Sequence, residues 1–220
     1  MSGAGRRLIL MRHGRTAWNA TGRAQGHADI DIDELGHEQA AAAAPYLASL
    51  GPVALWCSDL ARARQTCVYL EKHTGLTATY DARLREFDVG ARQGLTMPEF
   101  EEAFPQEYAL WRQGTDAVRL PGAEVDADVV ARMVPALREC LDSLAAGETG
   151  IVVTHGASLK VALLGLLGWD QGEAPALQGV ANCAWVWLEE LEAGGRLRLV
   201  SYNESVRPGH AAPLAAPDEV

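Results

Sequence analysis

Two segments of this chain repeat one pattern: Leu8-Ile9-Leu10-Met11-Arg12-His13-Gly14 and Ile151-Val152-Val153-Thr154-His155-Gly156. Each is a short unbroken apolar run that stops at a polar residue, then His, then Gly. A run of that length with no polar alternation reads as a strand buried on both faces. A histidine just past such a strand stands at its carboxyl end, where open α/β sheets bind ligands. If the two strands are neighbours, both imidazoles face one pocket. That brings together two bases whose ordinary pKa is about 6.5. One histidine in such a place is commonly a packing or surface residue. Two in the same context, one of them beside Arg12, point to chemistry.

The rest of the chain fits the same frame. Strands are expected at 8–11, 54–57, 77–80, 151–154, 183–188 and 196–202, with helices at 36–50, 61–73, 126–144 and 157–167. Gly51-Pro52 and Gly75 end two of the helices, and Ser58-Asp59 reads as a helix start. Strands alternating with helices predict an α/β fold, a three-layer α/β/α sandwich around a mostly parallel sheet. The last two strands, joined by Glu192-Ala193-Gly194-Gly195, are expected to form a hairpin. Residues 14–33 and 84–95 are loops. Residues 96–124 read as short helices and loops, punctuated by Pro98, Pro105 and Pro121, and form a small lid. One domain over 1–205 is expected, followed by a disordered tail at 206–220.

Composition narrows the partners. A formal net charge of −10 over 220 residues argues against nucleic acid or an anionic membrane surface. An acidic body with a few arginines near one site suits a small anionic ligand. No run approaches the roughly 20 apolar residues of a membrane span. Residues 1–7 are not expected to act as a signal peptide. Cys57, Cys67, Cys140 and Cys183 show no C-x-x-C pair and no ligand spacing with histidine, so free thiols in a reducing cytoplasm are expected. Neither a phosphate-binding G-x-x-x-x-G-K-[ST] loop nor a dinucleotide G-x-G-x-x-G is present. Trp185 and Trp187 alternate along a late strand and read as core or interface, whereas Trp18 and Trp111 are candidates for pocket walls.

Four segments carry the chemistry. In Arg12-His13-Gly14, the arginine offers a planar fork for phosphate oxygens, a neutral imidazole can take a phosphoryl group, and the glycine lets backbone approach closely. In Ser58-Asp59-Leu60-Ala61-Arg62, the helix start attracts anions and Arg62 lies in its first turns. In Leu84-Arg85-Glu86-Phe87-Asp88, either Glu86 or Asp88 could serve as proton donor. In Thr154-His155-Gly156, the imidazole is placed to hydrogen-bond non-bridging oxygens.

Taken in order, Arg12-His13-Gly14, Ser58-x-Leu60-x-Arg62-Ala63, Leu84-x-Glu86-x-x-x-Gly90-x-x-x-Gly94 and Thr154-His155-Gly156 resemble the histidine phosphatase superfamily, the phosphoglycerate mutase-like proteins. The resemblance runs from about residue 7 to 203. It implies that His13 is the phosphorylated nucleophile through Nε2, and that Arg12, Arg62 and His155 form the phosphate pocket. It makes Glu86, rather than Asp88, the proton donor. It places Asn19, Gln25, Gly26 and Gly156 among the substrate-binding positions. It implies no cofactor and no metal.

Within the superfamily, cofactor-dependent mutases carry an Arg-Arg pair in a long insertion between the proton donor and the second histidine. No such pair lies between Glu86 and His155, which favours a phosphatase over mutase-type phosphoryl transfer. A non-catalytic regulatory module of the same fold is the other alternative. The segments around 74–96, 109–112 and 182–185 resemble actinobacterial phosphatases of phosphoglycerate derivatives and the broad-specificity acid phosphatases near them. The implied substrate is a small sugar phosphate or phosphoglycerate derivative, and the late tryptophan strand is compatible with a homodimer.

The chain departs from that pattern in three places. Arg15 stands where relatives often have Glu or Gln, which suggests a more cationic pocket and a residue for carboxylate-bearing substrates. Arg92 stands where many have an aromatic residue. Pro121-Gly122-Ala123-Glu124-Val125 lacks the usual serine before the next helix, so Asp126 is expected to cap it.

Overall fold

The computed structural model describes residues 5–112, 120–191 and 195–206 of the chain. The lid positions 113–119, the hairpin turn at 192–194 and the tail from 207 lie outside the described residues. In order along the chain the elements are β1 (Arg7–Arg12), α1 (Ala17–Thr21), α2 (Glu34–Ser49), β2 (Ala54–Cys57), α3 (Ala61–Thr74), β3 (Thr79–Tyr80), α4 (Met97–Ala103), α5 (Pro105–Arg112), α6 (Asp126–Asp142), β4 (Thr149–Thr154), α7 (Gly156–Leu167), β5 (Trp185–Glu190) and β6 (Leu197–Glu204).

The described strands form one sheet in the order β3-β2-β4-β1-β5-β6. β1 runs parallel to β4, with Arg12 opposite Thr154, and β4 to β2 and β2 to β3 are also parallel. β5 is antiparallel to β1, and β6 closes the expected hairpin with β5. The two strand-His-Gly segments are therefore adjacent and in register, so both histidines leave the sheet at the same point.

Continuous apolar runs are explained by what lies on each face. Leu8 and Leu10 pack with Val129, Met133 and Leu137 of α6 and Leu159 of α7. Ile9 and Met11 face the other way, against Ala43 and Leu47 of α2 and Cys67 and Leu70 of α3. Both faces of β1 are thus covered, and each such side chain contributes about 1.5–3 kcal/mol by leaving water. The late strand follows a different rule. Trp185 is buried, stacks on Tyr46 with ring centroids 5.3 Å apart, and donates its Nε1–H to Glu204 Oε2 at 3.0 Å.

Differences from the sequence reading have local causes. β5 starts at Trp185 rather than residue 183, because Cys183 sits in the left-handed region at φ 55°. α1 is only five residues long, closed by Thr16 and Asn19 in a capping box, and lay inside an expected loop. Helix α3 takes its N-terminal partner from afar: the Ala61 N–H donates to Asp29 Oδ1 at 2.6 Å. Asp126 does not cap α6. Val125 holds that position, and its N–H donates to Asp128 Oδ2 at 3.0 Å. Among the described residues no helix is long and apolar enough to cross a membrane.

Candidate active site

The carboxyl ends of β1, β2 and β4 open into a cavity of about 720 Å³ whose lining includes Arg12, His13, Asn19, Gln25, Gly26, Arg62 and Glu86. Seven of the residues singled out in the sequence thus share one wall. His155 and Gly156 stand directly behind that wall. The His13 and His155 rings have centroids 5.1 Å apart.

His13 is 2% exposed. Its Nδ1 lies 2.7 Å from the Gly14 carbonyl, which can only accept, so the proton sits on Nδ1 and the Nε2 lone pair is left free. Burial first, then the charges of Arg62 and Arg12, hold this imidazole well below its ordinary value. The ring is therefore neutral at physiological pH. Gly14 fixes the bend, its N–H donating to Thr66 Oγ1 at 2.9 Å.

Arg62 is fully buried in the first turn of α3. Its Nη1 and Nη2 donate to the Ala28 and Gly26 carbonyls, each at 2.8 Å, and its Nε donates to His155 Nδ1 at 3.2 Å. A guanidinium cannot accept, so His155 carries its proton on Nε2, which donates to Ser58 Oγ at 2.8 Å. Burial, then Arg62, His13 and Arg12, keep His155 well below its usual range. Both ring nitrogens of His155 thus have protein partners, and a direct bond to a ligand oxygen requires one of them to exchange. Burial also lowers the Arg62 guanidinium to about 10, so it stays charged at neutral pH.

Arg12 ends β1, and its Nη1 donates to the Val180 carbonyl at 2.6 Å. Gly156 serves this side chain rather than lining the cavity. A Cβ there would come within 3.1 Å of Arg12 Nε, so any side chain would push the guanidinium off its place across the start of α7 by a few tenths of an ångström. Glu86 approaches the same helix start from the opposite side. Its Oε1 accepts from the N–H of Ser158 at 2.8 Å and of Phe87 at 3.0 Å, and its Oε2 accepts from Ala157 at 3.1 Å. The positive end of α7 therefore faces the Glu86 carboxyl group at the cavity wall. Asp88 lines the cavity too, but its Oδ1 accepts from the N–H of Gly90 within its own turn at 2.9 Å.

The loop bearing Glu86 is stapled by residues that the sequence reading missed. Arg132 of α6 donates to the carbonyls of Arg83 and Arg85 at 2.8 Å and of Glu86 at 2.9 Å, while pairing with Glu124 at 2.7 Å. Arg85 clasps Asp59 with two bonds of 2.7 and 2.5 Å. His27 Nε2 donates to the Glu86 carbonyl at 2.8 Å. No local pattern marks Arg132; only packing of α6 on the loop brings it there. Asn182 likewise bridges the His13 carbonyl at 3.1 Å and Asn19 Oδ1 at 3.2 Å. Asn19 Oδ1 also accepts from the N–H and the hydroxyl of Thr16, each at 3.1 Å.

Two expectations need correction or division. Arg15 adds no charge to the cavity: its Nε pairs with Asp33 Oδ2 at 2.8 Å, at the cap of α2. Of the two wall tryptophans, Trp111 lines the cavity, whereas Trp18 packs instead beside Gly94. Arg92 does line it. Among the described residues, no group of three His, Cys, Asp or Glu is gathered as metal ligands would be.

Comparisons with known proteins point to one superfamily. The model of the histidine phosphatase superfamily (branch 1) matches residues 8–204. The chain is 40% identical over 190 residues to a glucosyl-3-phosphoglycerate phosphatase of Mycolicibacterium vanbaalenii, covering 83% of this chain and 84% of that protein. The phosphatase of the same name from Mycobacterium tuberculosis is 37% identical over 216 residues, covering 92% and 96%. A probable phosphoglycerate mutase of Yersinia pestis is 35% identical over 165 residues, covering 73% and 74%. The solved structure of a mycobacterial glucosyl-3-phosphoglycerate phosphatase with VO3 superposes with a TM-score of 0.84 at 35% identity, covering 91% of this chain and 100% of that one.

Proposed function

The chain belongs to the histidine phosphatase superfamily, and from that membership we propose that it hydrolyses a phosphomonoester of the sugar–phosphoglycerate class through a phosphohistidine at His13. The observation that carries this reading is the tautomer of His13. Its Nδ1–H is tied to the Gly14 carbonyl, so Nε2 presents a lone pair to the cavity beside Arg12 and Arg62.

Phosphoryl transfer asks little covalent chemistry of a protein beyond a nucleophile; position and charge dominate. His13 Nε2 attacks phosphorus in line as the P–O bond to the alcohol breaks. Glu86, starting as the carboxylic acid, delivers its proton to the departing alkoxide oxygen. Arg12 and Arg62 balance the charge on the non-bridging oxygens, with His155 holding Arg62 in place and joining them once a ring bond exchanges. Glu86, now a carboxylate, takes a proton from water. The resulting hydroxide attacks the phosphohistidine, releasing inorganic phosphate and restoring neutral His13. Asn19, Gln25 and Gly26 contact the substrate, and Gln25 Oε1 is a buried acceptor with no protein partner on that wall.

We read residues 96–124 as a lid over a compact metabolite; their described part brings Phe100 and Trp111 to the cavity. All these roles fall within one chain, so the chemistry proceeds alike in a monomer or a homodimer. The net charge and the small cavity favour a small phosphorylated substrate over nucleic acid, and the four buried free cysteines fit the cytoplasm.

Mutase-type transfer is the second reading, favoured by the Yersinia relative. The test measures phosphate release from glucosyl-3-phosphoglycerate and from p-nitrophenyl phosphate with EDTA present. Stoichiometric phosphate release supports the phosphatase. Turnover only after addition of a bisphosphate, without net phosphate release, replaces it with the mutase.

A further inference from the structure

Beyond Arg12 and Arg62 the cavity wall carries, among the described residues, three more cations, Arg23, Arg92 and Lys160; Lys160 donates to the Leu177 carbonyl at 3.5 Å. Arg12 and Arg62 flank His13, and both donate to backbone carbonyls rather than carboxylates. The acidic residues named around them are already engaged. Glu86 faces the start of α7, Glu124 pairs with Arg132, and Asp88 closes its own turn. Arg23, the next arginine on the wall, is neutralised by Glu99 at 2.7 Å.

Arg92 is different. Its guanidinium lies between two rings, 5.1 Å from the Phe100 centroid and 5.2 Å from that of Trp111. Its Nη2 reaches only the Met97 thioether, at 3.2 Å, and its Nε is buried with no hydrogen-bond partner. Among the described residues no carboxylate pairs with it. The rings flank the group, and apart from the weak bond to Met97 no acceptor among the described residues takes its donors, an arrangement that matches a planar anion. A surface ammonium would keep its water, but this guanidinium has already lost part of its hydration, and burial lowers its pKa. Anion binding therefore meets little further desolvation on the protein side.

We propose that Arg92 is a specificity-determining residue that pairs with a carboxylate carried by the substrate beyond its phosphate. The inference rests on the phosphatase reading above and deepens it: the preferred substrates are phosphorylated carboxylic acids, with phosphate held at Arg12 and Arg62 and carboxylate at Arg92. Phe100 and Trp111 flank the Arg92 guanidinium at the cavity wall. The group takes no part in bond making and acts in binding alone.

The test compares glucosyl-3-phosphoglycerate with the same compound bearing a primary amide in place of its carboxylate, and with p-nitrophenyl phosphate. Wild type is expected to prefer the carboxylate over the amide about 10–100-fold in kcat/KM. Arg92→Met is expected to erase that preference by raising KM for the carboxylate, while activity on the amide and on p-nitrophenyl phosphate stays within about 3-fold. Arg92→Lys, which keeps charge but not the fork, is expected to retain part of the preference. Equal activity of wild type on carboxylate and amide overturns the proposal, as does an Arg92→Met enzyme that keeps the preference. If Arg92→Met loses all three activities, the lysine variant decides: active without preference, it overturns the proposal. A wild type inert on all three compounds refutes the phosphatase reading itself.

Discussion

Arg62 donates its Nε–H to Nδ1 of His155 across 3.2 Å, and the same guanidinium holds the carbonyls of Gly26 and Ala28. One buried side chain therefore sets the tautomer of one histidine and fixes the loop that forms part of the cavity wall. It also repels a proton from both imidazoles. The site rests in the state a phosphoryl acceptor needs: neutral rings and charged guanidiniums.

The neutral rings make stability depend on pH. Both histidines are held well below their ordinary value when folded, by burial and then by Arg62. Above about pH 6.5 neither folded nor unfolded chain protonates them. Below it the unfolded chain takes up protons that the folded one refuses, so stability falls as pH falls toward the folded values. Each histidine contributes a slope of up to about 1.4 kcal/mol per pH unit. Urea unfolding from pH 7.5 to 5.0 should show this loss, and His155→Asn should reduce the slope by about one proton. An unchanged slope in the variant would place the acid sensitivity elsewhere.

Gly156→Ala separates packing at Arg12 from helix stability. Alanine favours a helix over glycine by roughly 1 kcal/mol. Here its Cβ would press on the guanidinium at 3.1–3.3 Å. Displacing Arg12 should raise KM or lower kcat by about 10-fold or more, with little change in Tm. Wild-type kinetics in this variant would show that Arg12 tolerates the shift.

Arg132→Met tests the staple on Glu86. The substitution removes donors to three backbone carbonyls and the pair with Glu124, while keeping an apolar stem. A misplacement of about 1 Å costs on the order of 10²-fold in rate. The expected signature is a fall in kcat near that size on every phosphomonoester, together with a lowered Tm. Inorganic phosphate should bind as in wild type, because Arg12 and Arg62 are untouched. Loss of phosphate binding would mean that Arg132 supports the whole cavity rather than the Glu86 loop.

Much of this site is legible in the chain because its parts sit where strands end. Arg12 ends β1 and His13 follows it, Arg62 follows β2, and His155 follows β4, so local pattern places them once the sheet order is known. The two apolar runs mark β1 and β4 as strands covered on both faces, but that they are neighbours comes from the pairing itself. What local pattern cannot supply is contact between distant segments. Arg132 reaches back from a helix to carbonyls more than 40 positions earlier, and Asp29 caps a helix 32 positions downstream. Asn182 ties two loops from the far end of the chain. Arg15 failed for the complementary reason. It adjoins the site in sequence, but the cap residue Asp33 lies closer in space and takes its charge.

The most direct measurement is to quench the enzyme within milliseconds of mixing with a phosphomonoester substrate, digest it at alkaline pH and map the phosphorylated peptide by mass. The expected result is an acid-labile, base-stable phosphoryl group on His13, formed and lost fast enough to support turnover and absent in His13→Asn. A wild-type enzyme that turns over with its phosphoryl group on another residue, or with none at all, would contradict the role given to His13.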